Sequence, residues 1–492
     1  RRSSDLWKIG SHLRLTGGFR VDVPLYPDTT FFNPTFAAAF PGRDTRELPN
    51  GTPLFSPRIG FNYDPFDDKS IQIRGGSGLF TGRVAAVWIS NQYANTGMDF
   101  SRVEIGANNG NAAIIGPDGQ PYVIDLNAER TPRPGDSLFP GGPLPTTAVN
   151  VTDKNFRLPQ VWRSSLGADF KIASGLTFTV EGMYGAFQNT VDYQDLNLRQ
   201  SNRTWFVSQS VNGEQRVDTI IGRSPVDGRP LYATGTAITR PDSVVSRNFT
   251  QVLLLRSRSE GYQYSASAQL NLDARNPWLP GLTAYLSYTF GRTFDLNAAT
   301  AATATSQYSS TDAIDPNNTT LGRSNFDVPH RILVSASYRK EWARGIATTI
   351  GLFYSGNSGR PFSLSYIGDL NGDNVVGSND LIYVPRREDF GTKIVIPEPT
   401  GTDLRTAAQV WEQIMGLVES TPGLREYQGR ILPRNALREP WINQLDLRIT
   451  QSLPSLVDGH SFDLTLDVQN VFNLLNSSWG LQRYVNFQSF DI

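Results

Sequence analysis

The sequence has no cysteine and only 3 histidines and 3 methionines in 492 residues. Without Cys there is no disulfide framework and no thiolate chemistry, although the compartment stays open. Charge of one sign is also missing. Lys plus Arg total 45 against 46 Asp plus Glu, a formal net charge of -1, which argues against a nucleic-acid binder. No apolar run reaches the roughly 18–20 residues of a membrane helix, and no signal-peptide pattern opens the sequence. Helical periodicity is confined to one short stretch. There are no paired carboxylates at fixed spacing, no nucleophile elbow and no Gly-rich loop before a helix, so an enzyme is the least supported class. These absences leave one membrane architecture untouched. A transmembrane β-barrel shows lipid only alternate residues, so a mean hydropathy of -0.33 does not speak against it.

What the chain does have is strict alternation. In Gln444-Leu445-Asp446-Leu447-Arg448-Ile449-Thr450, the apolar residues fall on one face and the polar ones on the other. Phe462, Leu464, Leu466 and Val468 alternate in the same way with Asp463, Thr465, Asp467 and Gln469. Similar runs lie at 13–23, 58–63, 71–81, 161–171, 176–187, 251–272, 282–293, 330–339 and 347–354, and Arg1 to Trp7 reads as the tail of a strand already under way. The connections between them are short, then long, then short again, to the end of the chain. All short turns therefore lie on one side of the sheet and all long loops on the other, which is the sidedness of an outer-membrane barrel. Trp7, Tyr63, Trp162, Trp342, Tyr354 and Trp441 fall near strand ends, where interface girdles sit. The expected fold is all-β, a transmembrane antiparallel β-barrel with short periplasmic turns and long extracellular loops. The reading yields about 13 strands, an odd number, whereas a bacterial barrel closes with an even one. It therefore expects further strands before Arg1.

Several blocks resemble the TonB-dependent outer-membrane receptors, specifically the Oar-like branch that carries a carboxypeptidase-regulatory-like domain. They include Ser4-Asp5-Leu6-Trp7, Phe55-Ser56-Pro57-Arg58-Ile59-Gly60-Phe61, Arg74-Gly75-Gly76-Ser77-Gly78-Leu79-Phe80, and Asn91-Gln92-Tyr93-Ala94-Asn95. Leu158-Pro159-Gln160-Val161-Trp162, Phe326-Asp327-Val328-Pro329-His330-Arg331 and Asp467-Val468-Gln469-Asn470-Val471-Phe472-Asn473 follow in the expected order. The resemblance implies a barrel of about 22 strands when complete, with a plug in its lumen. On that reading residues 1–492 are the C-terminal portion of the barrel. The plug, the TonB-contacting segment and the regulatory-like domain would lie upstream. The implied role is energy-coupled movement of a solute or peptide across the bacterial outer membrane. The implied partners are outer-membrane lipid, TonB and surface proteins on the loops. Two alternatives stay open: a barrel that serves as a docking platform for surface proteins, and a soluble all-β binding protein.

The long insertion 356–440 holds the sharpest local signal, at 369–380. It reads Asp369-Leu370-Asn371-Gly372-Asp373-Asn374-Val375-Val376-Gly377-Ser378-Asn379-Asp380. Oxygen-bearing side chains at Asp369, Asn371, Asp373 and Asp380, with the Val375 carbonyl, have the ligand spacing of an EF-hand or dockerin-type Ca²⁺ loop. Asn374 replaces the usual Gly, though Asn tolerates a left-handed backbone. Asp380 replaces the usual, longer Glu. The alternative is a plain Asx/Gly turn. A bound Ca²⁺ would stiffen the loop and would not act in catalysis. An amphipathic helix is expected at 404–418, with Val410, Trp411, Ile414, Met415 and Val418 on one side as a cap on the loop cluster. Arg74, Glu181, Asp446, Arg448, Asp463 and Asp467 are expected to face the lumen. His330 is expected to pack or hydrogen-bond at a barrel end, and neither His12 nor His460 suggests a metal site.

Overall fold

Backbone groups in lipid have no water to bond, so every strand of a membrane wall must be paired on both sides. The computed structural model describes residues 2–82, 86–98, 147–201, 204–211, 214–232, 244–375, 377, 379–397, 404–454 and 460–485. Its alternating runs form one antiparallel sheet of thirteen strands. They are β1 (Arg2–Ile9), β2 (Leu13–Asp22), β3 (Leu54–Tyr63), β4 (Ile71–Thr81), β5 (Gln160–Ala173), β6 (Leu176–Gln188) and β7 (Tyr262–Leu272). The rest are β8 (Leu282–Asp295), the short β9 (Gly322–Arg323), β10 (His330–Ala343), β11 (Ile346–Asn357), β12 (Ile442–Pro454) and β13 (Ser461–Val468). Each long strand pairs with the next along the chain, and β9 pairs with the outer end of β8. Gly75 shows why glycine recurs in β4: a Cβ there would strike the Phe61 ring and the Ser165 carbonyl.

The register fixes two faces. Leu447 opposes Leu352 and Val468, while Arg448 opposes Gly351 and Asp467. The apolar face is exposed to the surroundings: Leu464 is 63%, Leu166 59% and Ile59 59% accessible. A soluble protein would cover such a band, so the soluble alternative fails here. Trp7, Tyr63, Trp162, Trp342 and Trp441 are all exposed, at strand ends as expected.

The described parts of the long connections pack together. Thr147–Thr152 lies parallel to Phe249–Arg258, which pairs antiparallel with Thr190–Asp195, giving a second, three-stranded sheet. Buried apolar residues collect around it in two clusters, one with Tyr193, Leu253 and Tyr308 and one with Phe36, Val149 and Leu254. A third cluster packs Trp411, Met415 and Val418 of a helix against Val384 and Leu432. That helix runs Ala407–Ser420, with Thr406 and Gln409 forming a capping box. The expected face is the buried one, packed against other residues of the 356–440 insertion. Tyr383–Val384 is a short strand paired with Arg430–Ile431.

Two readings of the sequence need correction. The run 251–272 is not one strand. It breaks at Gly261, whose φ of +118° is open to glycine, and its two halves belong to different sheets. The neighbouring chain breaks at the same level, at Asn189 with φ +54°, so β6 and β7 both pass from wall to loop sheet through one hinge line. Phe187 N–H donates to the Gly261 carbonyl across it, at 2.9 Å. The segment after β6, taken as loop, also carries Thr190–Asp195 and a hairpin of Thr204–Val211 with Glu214–Ile221. Most of the long segment 83–159 lies outside the described residues.

Candidate functional site

Two regions carry the polar chemistry. The first is the inner face of the wall. Arg74 on β4 reaches across β5 because Gly167, its register partner, has no side chain there. Its guanidinium pairs with Asp169 and, at 3.2 Å, with Glu181 on β6. Thr179 Oγ1 donates to Asp169 at 2.7 Å. On β12 and β13, Arg448 binds Asp467 at 2.6 Å, and Thr450 and Thr465 meet at 3.3 Å. Asp446 accepts the Asn470 N–H at 2.8 Å. Asp463 shares the face, opposite Ser452. All six residues expected to face the lumen therefore do so, in two pairs and two single positions. The face is polar and its ion pairs are accessible, so they order the wall surface more than they stabilise it. Arg58 lies over the exposed Phe80 ring at 5.0 Å, which adds an aromatic foothold.

The second region is the 369–380 turn. Asp369 accepts from the N–H groups of Gly372, Asp373 and Asn374 at 2.7, 3.0 and 2.7 Å. Asp373 accepts from Val375 N–H at 2.8 Å and from the Asn371 side-chain amide at 3.1 Å. Asn374 has φ +68°, the left-handed backbone its place in the spacing requires. Val375 is buried in the core cluster beside Tyr308, which pins the turn to the loop sheet. Asp380 departs from the expected pattern. It accepts Leu370 N–H at 2.9 Å and pairs with the fully buried Arg229 at 3.1 Å. Among the described residues no three acidic or histidine side chains converge as a ready-made metal shell. Burial, with Asp380 and Asp369 close by, pushes the Asp373 carboxyl up to about 7 against the pull of the Val375 N–H. Burial also raises Asp380, opposed by Leu370 N–H and Arg229.

Sequence reasoning missed what surrounds this turn. Arg229 bonds Asp227 at 2.7 Å and the Leu381 carbonyl at 2.6 Å. Tyr232 N–H donates to the Asn371 carbonyl at 2.7 Å, and its hydroxyl to Asp315 at 2.7 Å. Ala313 N–H donates to the Asn379 carbonyl at 3.0 Å. Three long connections thus meet on one turn. Asp227-Gly228-Arg229 signals only a turn, and nothing in it points to a partner 151 residues away. His330 lies against the Phe290 ring at 5.3 Å, and its Nδ1 is 2.8 Å from the Tyr288 hydroxyl, the expected packing. His12 Nδ1 meets the Asp64 carbonyl at 2.9 Å, tying two short turns together.

The chain is similar in structure to the outer membrane transporter YddB from Escherichia coli, with TM-score 0.40, 9% identity, and coverage of 94% of this chain and 41% of that one. It is similar to the FrpB iron transporter of Neisseria meningitidis (F3-3 variant), with TM-score 0.41, 8% identity and coverage of 99% and 42%. The siderophore receptor PirA of Acinetobacter baumannii gives TM-score 0.39, 8% identity and coverage of 96% and 41%. The chain spans about two fifths of the length of these structures. No curated protein matches it in sequence. The sequence model of the outer membrane beta barrel domain matches residues 3–479. The chain belongs to that family of bacterial outer-membrane β-barrel domains.

Proposed function

We propose that this chain forms the wall and outer loops of a TonB-dependent receptor that moves a solute or peptide across the outer membrane. The observation that carries the reading is the inner face. It is lined along its strands by paired and single charges, Arg74 with Asp169 and Glu181, and Arg448 with Asp467. A wall with a wet, charged inner face suits a passage or a plugged lumen. The sequence blocks that resemble the Oar-like receptors support energy coupling. The test is depletion of solutes and short peptides from the medium by cells with and without the gene, energised or treated with a protonophore. Transport predicts one chemical class depleted only by energised cells that carry the gene. No depletion, with a surface protein co-purifying in fixed ratio, would instead make the barrel a docking platform.

The 369–380 turn is assigned to Ca²⁺ in the same reading. Asp369, Asn371, Asp373 and the Val375 carbonyl would hold the ion, with Asp380 shared between it and Arg229. The oxygen spacing and the left-handed Asn374 support this. The ion would offset carboxylates that are otherwise buried with one guanidinium. Calcium should then slow proteolysis of the 356–440 insertion in the wild type, and Asp369→Ala with Asp373→Ala should remove that protection while the wall stays folded. Equal proteolysis of the wild type with calcium and with chelator would rule the ion out.

A further inference from the structure

The apolar face of the wall is uneven. Register sets Phe170, Phe178, Leu270 and Leu286 side by side on β5 to β8, a bulky row toward the short turns. The next two rows are Ala168, Val180, Ala268 and Tyr288, then Leu166, Gly182, Ala266 and Phe290, so four small residues lie among Leu166, Val180, Tyr288 and Phe290. The result is an open apolar depression of about 590 Å³ in the lipid-facing surface. Side chains beside an unfilled depression forfeit their dispersion contacts, so hydrocarbon that fits it is held more firmly than at a smooth wall.

Charge lies directly above. On β8 the outward column runs Tyr288, Phe290, Arg292, and each two-residue step rises about 7 Å. Arg292, Arg323 and Arg438 surround one carboxylate, Asp327, at 3.4, 3.8 and 2.5 Å. Arg323 and Arg438 also hold backbone carbonyls, those of Asn435 and Gly359 among them, whereas Arg292 keeps the freest fork. Burial pushes the Arg438 guanidinium below its ordinary value, and Arg323 and Arg292 add to this against the opposing pull of Asp327. Three cations on one anion leave positive charge at the end of the wall that bears the long connections. Basic side chains at a membrane surface draw anionic lipid, at about 1 kcal/mol each.

We propose that the depression seats one acyl chain of a phosphorylated, multiply acylated glycolipid of the outer leaflet, with its phosphate on the Arg292 side of the guanidinium cluster. The site is continuous with the lipid-facing band, and its charge complements a phosphate. The test uses the full-length protein purified from outer membranes in mild detergent, with retained lipid identified by mass spectrometry of the intact complex. Ala268→Phe fills the depression, and Arg292→Gln removes the charge with the freest fork. Heat-dependent gel migration reports that each variant is folded. The wild type should retain the glycolipid, and each folded variant should lose retention by about tenfold. Equal retention in all three proteins would overturn the site, as would wild type that holds only phospholipid. Residues 1–492 contain no cysteine, so Ala268→Cys, with any cysteine elsewhere in the full-length protein replaced by serine, gives a single thiol. Efficient disulfide cross-linking of two copies through it in membranes would overturn the lipid in favour of a contact between barrels.

Discussion

The wall and the loop module use the same apolar residues against opposite surroundings. On the wall, Leu464 and Leu466 are 63% and 57% accessible, and the charges turn inward. In the loop module Val252 and Leu432 are fully buried, and so is the Arg229 to Asp380 ion pair. The described wall is held by ladder hydrogen bonds, with its apolar face turned outward. The loop module is held as a soluble domain is, by packed cores and buried polar links. An apolar residue therefore says where a strand turns, but only its surroundings say what lies there. The two regions meet where Asn189 and Gly261 bend adjacent strands, so each can be perturbed with the other as control.

The largest effect is expected from Arg229→Met. Removing the guanidinium leaves the Asp227 and Asp380 carboxylates buried without a cation, held only by the backbone N–H groups of residue 229 and Leu370, a loss of about 3–5 kcal/mol for such a pair. Hydrogen exchange should quicken at 222–232 and 369–384, while β10 to β12 keep their protection. Loss of protection throughout the wall would mean that the two regions fold as one unit.

Next comes a contrast between neighbours on β7. Ala268 faces outward opposite Val180 and Tyr288, and Ser267 faces inward opposite Glu181 and Thr289. Ala268→Arg puts a charge into lipid near mid-strand and should cost about 2–4 kcal/mol. Ser267→Arg meets water and Glu181, and should stay within about 0.5 kcal/mol. Equilibrium unfolding by urea in lipid vesicles measures both. Equal costs would mean that the outer face is not in lipid.

Much of the wall was legible in the sequence, because a sheet between two solvents repeats its pattern every two residues and admits no slip. The six inward charges and the girdle aromatics followed from that repeat alone. The loop module was legible only where it kept a local period, as in the helix with Trp411 and Met415. Its sheet was not. Val252-Leu253-Leu254-Leu255 is buried on both faces, so it shows no alternation, and it ran on into β7 as if it were one strand. The oxygen spacing at 369–380 is local and was read directly. The hold of Arg229 on Asp380 depends on folding distant loops together, and no local pattern encodes it.

The smallest effect separates the two regions by pH. In the loop module, burial raises the Asp312 carboxyl above its ordinary value, opposed by a hydrogen bond from Ser363 and by Arg434. Asp373 is raised in the same way, to about 7. A carboxyl whose folded pKa is raised binds its proton more tightly when folded, so it weakens the fold above that pKa. The penalty fades as pH falls toward the ordinary carboxylate range. Measured in chelator and corrected for intrinsic exchange rates, protection of the loop module should therefore rise from about pH 8 to about pH 5. Asp373→Asn should remove the part of that rise nearest neutrality, and Asp312→Asn a smaller part. Protection that instead grows with pH would mean that these carboxyls are charged and paired in the folded loops, and that the buried links of the module are stronger than the geometry of Arg229 and Asp380 implies.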